Sequence, residues 1–168
     1  MKTTLLSAII ALLVLTSCGG KYDYGYNEKM SSLFLSCMEK VDESHEKLMN
    51  GEYNISKANN EISYDMALKN ANGLIKYINQ IKAEAQELTH SEIANNFHDA
   101  SIAYMTEIGD GYAPLLVKYI EEQDSVSREV IRKELIIKKE SIDKAADKSK
   151  EVQIEFLNKA GIKINTEG

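Results

Sequence analysis

From residue 27 onward, apolar residues recur every three or four positions in four successive stretches, the mark of amphipathic helices with one buried face. In the first stretch Met30, Leu33, Phe34, Cys37, Met38, Val41 and Leu48 draw one stripe, while Glu39, Lys40, Glu43 and Lys47 lie opposite. Asn27 suits an N-cap and Asn50-Gly51 a left-handed stop, so the first helix is predicted over about 27–50. The second, over about 56–88, is carried by Leu74, Tyr77, Ile78, Ile81, Ala85 and Leu88. Gly73 weakens its middle by roughly 1 kcal/mol against alanine. Close approach of a neighbouring helix, or a bend, would each explain it.

Thr89-His-Ser-Glu92 has the spacing of a capping box, which predicts a very tight turn and an antiparallel third helix. That helix shows Ile93, Phe97, Ala100, Tyr104 and Ile108, and resumes with Leu115, Leu116, Tyr119 and Ile120. Between them stands Gly109-Asp-Gly-Tyr-Ala-Pro114. Pro114 removes an amide, and its ring clashes with the carbonyl four residues back, so a kink or short break is predicted at 109–114. Asp124-Ser125 opens the last helix, which runs to about Ala160 before Gly161 ends it. Val130, Ile131, Leu135, Ile142, Ala145, Val152 and Phe156 mark its buried face; Glu129/Lys133, Glu134/Lys138, Glu140/Lys144 and Glu155/Lys159 are pairs spaced to support the exposed one. Ile162 and Ile164 are placed to fold back over the bundle's end. The expected fold is all-α: an up-down-up-down four-helix bundle, its third helix kinked or broken near 109–114. Helix 1 is the shortest, which would leave one end covered by three helices.

Ahead of this domain lie Lys2 and an apolar run, Leu5 to Leu15, broken only by Ser7. A basic start, an apolar core of about 7–15 residues and a small-residue processing site make a secretory signal. The run ends in Leu15-Thr16-Ser17-Cys18, which resembles the lipobox of bacterial lipoproteins. The resemblance implies cleavage between Ser17 and Cys18, a diacylglycerol on the Cys18 thiol and an acyl chain on its freed amine. No other cofactor is expected. The organisation is then a signal peptide over 1–17, a lipidated flexible tether over 18–26, and a bundle domain over 27–168. Residue 19 is Gly, not the Asp that commonly marks inner-membrane retention in this family, so the resemblance favours the outer membrane in a host with two. Tyr22, Tyr24 and Tyr26 alternate along the tether; they either dock on headgroups or a partner, or lean on the end of the bundle. The closing stretch Val152-Gln-Ile-Glu-Phe156-Leu-Asn-Lys-Ala-Gly-Ile162-Lys-Ile164 is similar to the ending of uncharacterised helical surface lipoproteins of spirochaetes and Bacteroidota. That likeness implies a surface or periplasm-facing protein and carries no catalytic residue.

Composition narrows the partners. The chain has 168 residues and a net charge of −6; removal of 17 residues takes away only Lys2 among the charges, leaving 151 residues at −7. An acidic domain has no general attraction for nucleic acid or anionic lipid, so membrane contact falls to the acyl chains, two or three of which anchor stably. Trp is absent and Pro occurs once, which argues against a turn-rich β sandwich. With Cys18 lipidated, Cys37 has no intramolecular partner, and its place in the apolar stripe makes it an inert, buried thiol.

The chemistry-bearing residues form no catalytic set. His45, His90 and His98 read as surface histidines near helix ends. A di-iron bundle needs two Glu-x-x-His pairs with two further inward Glu residues; Glu87–His90 straddles a helix end, and Asp42–His45 begins with Asp. A c-type haem motif, a phosphate-binding loop with its Lys, and a Gly-x-Ser-x-Gly elbow are all missing from the sequence. The interrupted third helix is the one irregularity with functional promise, since a broken helix exposes backbone groups. Asp110 and Tyr112, with Tyr104 and Tyr119 a turn or two away, are the candidate binding residues; a simple bend is the alternative. The expected function is a non-enzymatic, lipid-anchored interaction protein that docks another envelope protein on its bundle. A carrier of a small apolar ligand, held in a pocket at the kinked helix, is the alternative.

Overall fold

The computed structural model describes residues 3–162, with side-chain surroundings from residue 22 onward. It is all-helical among these residues, a four-helix bundle as the periodicity predicts. The elements are α1 (Thr3–Met49), α2 (Glu61–Gln86), α3 (Asn95–Thr106), α4 (Ala113–Glu121) and α5 (Ser125–Lys159). A 3₁₀ turn, Glu92–Ala94, leads into α3, and a π-helical segment, Glu107–Tyr112, joins α3 to α4 into the bundle's third helix. Among the described residues no helix is long and apolar enough to cross a membrane. Ser17 and Cys18 lie outside the residues whose side chains are described, and Ile164 lies outside the described chain.

Local chemistry explains most of the boundaries. Gly51 (φ 76°) ends α1 with Gly51 N–H on Leu48 O and Glu52 N–H on Lys47 O, a Schellman motif. Gly161 (φ 69°) repeats it on Asn158 and Leu157, and Ile162 packs on the core beside it, as the tail reading expected. Asp124 caps α5 by accepting from Ser127 N–H at 2.8 Å. At the same end Arg128 donates to the Glu122 carbonyl and to Asn54 Oδ1, which ties the first loop to the last turn.

Several boundaries differ from the pattern. Helix α2 begins at Glu61, not Ser56, because Asn60 is the residue that caps it, accepting from Ser63 N–H at 3.0 Å. The capping box does not form: Ser91 precedes the 3₁₀ turn with no side-chain cap, and Thr89 stands before it. Residues 18–26 are helical backbone and not a flexible tether, so α1 extends well upstream of Asn27 and is not the shortest helix. The reason is register. Asp23, Tyr26 and Met30 continue the buried stripe for two more turns, and Tyr26 fills an aromatic site on the bundle. Tyr22 and Tyr24 face outward, 45% and 51% exposed.

The core stripe on α1 is the expected one: Met30, Leu33, Phe34, Cys37, Val41 and Leu48 are buried. On α5, Val130 is exposed instead of buried, and Ala146 and Ser149 occupy the core in place of Ala145. The four predicted acid–base pairs of α5 are also replaced. Lys138 reaches Glu107 of the third helix at 2.5 Å, and Lys139 reaches both Asp42 of α1 (2.9 Å) and Asp143 within α5 (2.6 Å), so these two cations tie α5 to neighbouring helices.

Gly73 is not a point of close approach, since a Cβ there would meet nothing within 4 Å. Close approach belongs to Gly109, where a Cβ would lie 2.9 Å from Asn79 Oδ1 and 3.1 Å from Ile78 Cγ2 of α2. Two substitutions separate the two glycines. Gly73→Ala should raise stability by about 0.5–1 kcal/mol through helix propensity. Gly109→Val should lower it by about 1–3 kcal/mol through overpacking. Urea unfolding of the full chain measures both, and a stabilised Gly109→Val would contradict the packing described.

Candidate functional site

The predicted break at 109–114 is a widened turn and not a break. Every residue flanking it stays in right-handed helical conformation, and Ala113 N–H bonds the Ile108 carbonyl, five residues back. A π turn leaves room for the Pro114 ring, and the donor that proline lacks is absorbed where the hydrogen-bond register changes. It also corrects a drift. Tyr104, Ile108, Tyr112, Leu116 and Ile120 are spaced four apart, and each four-residue step in an α-helix turns about 40° past the previous side chain. Five such residues would spiral off the core, yet all five are buried to within 1%. The wider turn holds them on one face.

The four candidate residues are therefore not brought together as a binding surface. Tyr104 stacks on Phe34 (ring centroids 4.3 Å apart), and its buried hydroxyl finds no hydrogen-bond partner among the described residues. Tyr112 Oη lies 3.1 Å from His45 Nδ1. Tyr119 packs under the Arg128 guanidinium, 5.8 Å from its ring centroid. Only Asp110 faces solvent, paired with Lys82 at 2.9 Å. Gly109 is packed against Asn79 and a Cβ at Gly111 would run into the Lys138 side chain, so the kink is filled, not open.

What the fold does assemble is a polar layer and an aromatic cage, neither of which the sequence pattern shows. In the layer, Lys139 of α5 bridges Asp42 of α1 and Asp143, one turn from the His45–Tyr112 contact. Burial opposes the Lys139 charge, but its hydrogen bonds to the Asp143 and Asp42 carboxylates outweigh that and raise the pKa. Burial and the Lys139 charge together lower the pKa of His45. The one legible hint was the Asp42–His45 spacing, which puts both on one face of α1. Burial pushes the Cys37 thiol up to about 12, which keeps it protonated near neutral pH.

The cage lies at the opposite end. His90 and His98 stack with centroids 4.2 Å apart, Tyr26 Oη sits 3.3 Å from His98 Nδ1, and the Tyr26 ring meets Phe97 and Phe156 edge-on. These histidines are partly buried, not on the surface as expected. The reason is that the 3₁₀ turn folds the residue-90 loop against the Tyr26 turn of α1. Burial and the neighbouring His90 lower the pKa of His98, against a smaller opposing effect of Asp99. Among the described residues no cluster of three or more His, Cys, Asp or Glu is arranged to hold a metal ion.

Compared with protein-family models, curated proteins and solved structures, the chain matches none. Fold and packing define its class, a single all-α four-helix bundle.

Two tyrosines test the layer. Tyr112→Phe removes a contact to half-buried His45 and should cost about 0.5–1.5 kcal/mol, whereas Tyr104→Phe removes a buried hydroxyl without a partner and should stabilise by up to about 1 kcal/mol. Denaturant midpoints decide it, and equal losses at both positions would contradict the geometry. The histidines set a pH dependence. His45 and His98 titrate below the ordinary 6.5 when folded, so the unfolded chain takes up protons first. Stability is full above pH 6.5 and falls as pH drops through it. Thermal unfolding from pH 7.5 to 5 should show this fall, and a His45→Gln/His98→Gln double variant should flatten it.

Proposed function

We propose that this protein is a lipid-anchored, non-enzymatic interaction protein of a bacterial envelope. The observation that carries the reading is the placement of Leu15-Thr16-Ser17-Cys18 at the end of an eleven-residue apolar run behind Lys2. Cysteine at that place is the acceptor of the acyl chains, and two or three chains give stable anchoring where one gives marginal binding. The continuation of α1 upstream of Asn27 supports a rigid stalk from anchor to bundle instead of a loose tether.

The side chains available for docking are apolar and lie on outward faces. Ile62, Met66 and Tyr77 are exposed along α2, and Val126, Val130 and Ile137 share one face of α5. Scattered exposed apolar residues are normal, but two rows at helical spacing on an acidic, otherwise charged surface suit a protein partner. The partner in this reading is another envelope protein, and the outer membrane is the favoured address if the host has two membranes. Nucleic acid has no place in it.

The test is fractionation and mass. The wild-type chain should remain with membranes in the absence of detergent and carry an acyl mass at its N-terminus. The Cys18→Ser form should lose both the acyl mass and the membrane association. A Cys18→Ser form that stays membrane-bound without detergent would overturn the anchor.

A further inference from the structure

The helix that leads to the anchor is also the helix that packs least closely. The third helix lies tightly between α2 and α5, where Ala67, Ala71, Ala113 and Gly109 allow backbones to approach. Large side chains hold α1 further off, and a cleft remains where α1 faces α3 and α5. Two aromatic pairs create it. Phe34 is drawn against Tyr104 (4.3 Å), and Phe97 is stacked on Phe156 (5.8 Å, planes 16° apart). The residue that lines the space beside Phe34 and Phe97 from α5 is Ser149, whose side chain is small. Ser149 does not offer its hydroxyl to the space, because that group is bonded to Ser101 at 2.9 Å within the core.

The resulting cavity has a volume of about 230 Å³. Phe34, Phe97 and Ser149, all buried, make its floor; Leu35, Ser31, Gln153 and Lys150 make its rim. At roughly 30 Å³ for each water-sized group, it accommodates about seven or eight methylenes. The rim carries one cation. Lys150 is half exposed and held only loosely by Asp147, at 3.6 Å. The amide of Gln153 is committed elsewhere, donating at 2.8 Å to both Asn27 Oδ1 and Ser31 Oγ, so it braces α1 to α5 across the mouth. An apolar floor of this size with a single loosely paired ammonium at the lip fits one chemistry: a short hydrocarbon chain ending in an anion.

We propose that the cleft between α1, α3 and α5 binds a medium-chain monocarboxylate, its chain between Phe34 and Phe97 and its carboxylate on Lys150. The site is independent of the anchor. It lies away from the π turn and from Asp110, Tyr112 and Tyr119, with Tyr104 only backing its floor through Phe34. Apolar burial supplies most of the affinity and Lys150 supplies the preference for an acid over a neutral or cationic chain.

The absence of tryptophan from the sequence provides the assay. Leu35→Trp places the chain's sole tryptophan on the rim, at a half-exposed position that tolerates it. Octanoate, octan-1-ol and octylamine are titrated into the full-length variant in the presence of phosphatidylcholine vesicles, and tryptophan emission is followed. Octanoate should shift the emission saturably, ahead of octylamine. Adding Lys150→Met should weaken octanoate by about fivefold while leaving octan-1-ol unchanged, the size expected of one exposed charge pair. Emission that ignores octanoate would overturn the proposal. So would an octanoate response that is the same with and without Lys150, which would mean partition into the vesicle. To guard against a reporter that blocks its own site, binding of carboxyl-labelled octanoate to the unsubstituted chain is followed by carbon NMR. A carboxyl resonance that stays at its free position there would equally overturn it.

Discussion

The bundle depends on the contact between Gly109 and α2. Without a side chain at that point, the π turn seats directly on Ile78 and Asn79, and α4 follows α2 closely to its end. The extra residue in the turn then brings Tyr112, Leu116 and Ile120 round to the face already set by Tyr104 and Ile108. A straight α-helix would turn the later side chains away from the core by about 160° over four such steps. Pro114, which looks like a helix breaker, sits just past the turn where its missing donor matters least. One glycine and one widened turn thus decide which residues of half the bundle are buried.

Polar groups are treated differently at the two ends of the molecule. In the layer below α1's last turns, polar groups are paired within hydrogen-bond reach: the Lys139 charge with Asp42 and Asp143, the Tyr112 hydroxyl with His45. Burying such groups is tolerable only when they are paired. The Tyr104 hydroxyl departs from this, and its ring packing on Phe34 is what keeps it there. At the other end, two stacked imidazoles and Tyr26 close the bundle over Phe97 and Phe156. Neutral imidazoles stack without penalty, whereas cations would repel at 4.2 Å. The fold joins the Tyr26 turn of its first helix to the α2–α3 connection through these ring contacts.

That arrangement bears on how an anchored bundle would stand on a membrane. Tyr26 belongs to α1, so the part of that helix upstream of Asn27 is continuous with the core and not merely attached to it. At the same time, large side chains keep α1 apart from its neighbours, and the space they leave lies along its seams with α2, α3 and α5.

Helix number, helix class and most of the core were legible in the chain, because they follow from short-range periodicity. The α1 stripe from Met30 to Leu48, the two glycine stops and the Asp124 cap need no partner to be recognised. The lipobox resemblance likewise rests on local order, and it alone points to an address. Tertiary structure decided the rest. Whether Thr89 or Ser91 opens the third helix, whether Lys138 pairs along α5 or across to Glu107, and whether residues 18–26 coil or continue a helix all turn on what lies opposite. The four-residue spacing of Tyr104, Ile108, Tyr112, Leu116 and Ile120 stands in the sequence, but the pattern read there was a kink or break, and the π turn that holds all five on one face was not legible. Three of the four candidate residues chosen around the interrupted helix, Tyr104, Tyr112 and Tyr119, became core, since packing, not sequence position, determines which side of a helix meets water.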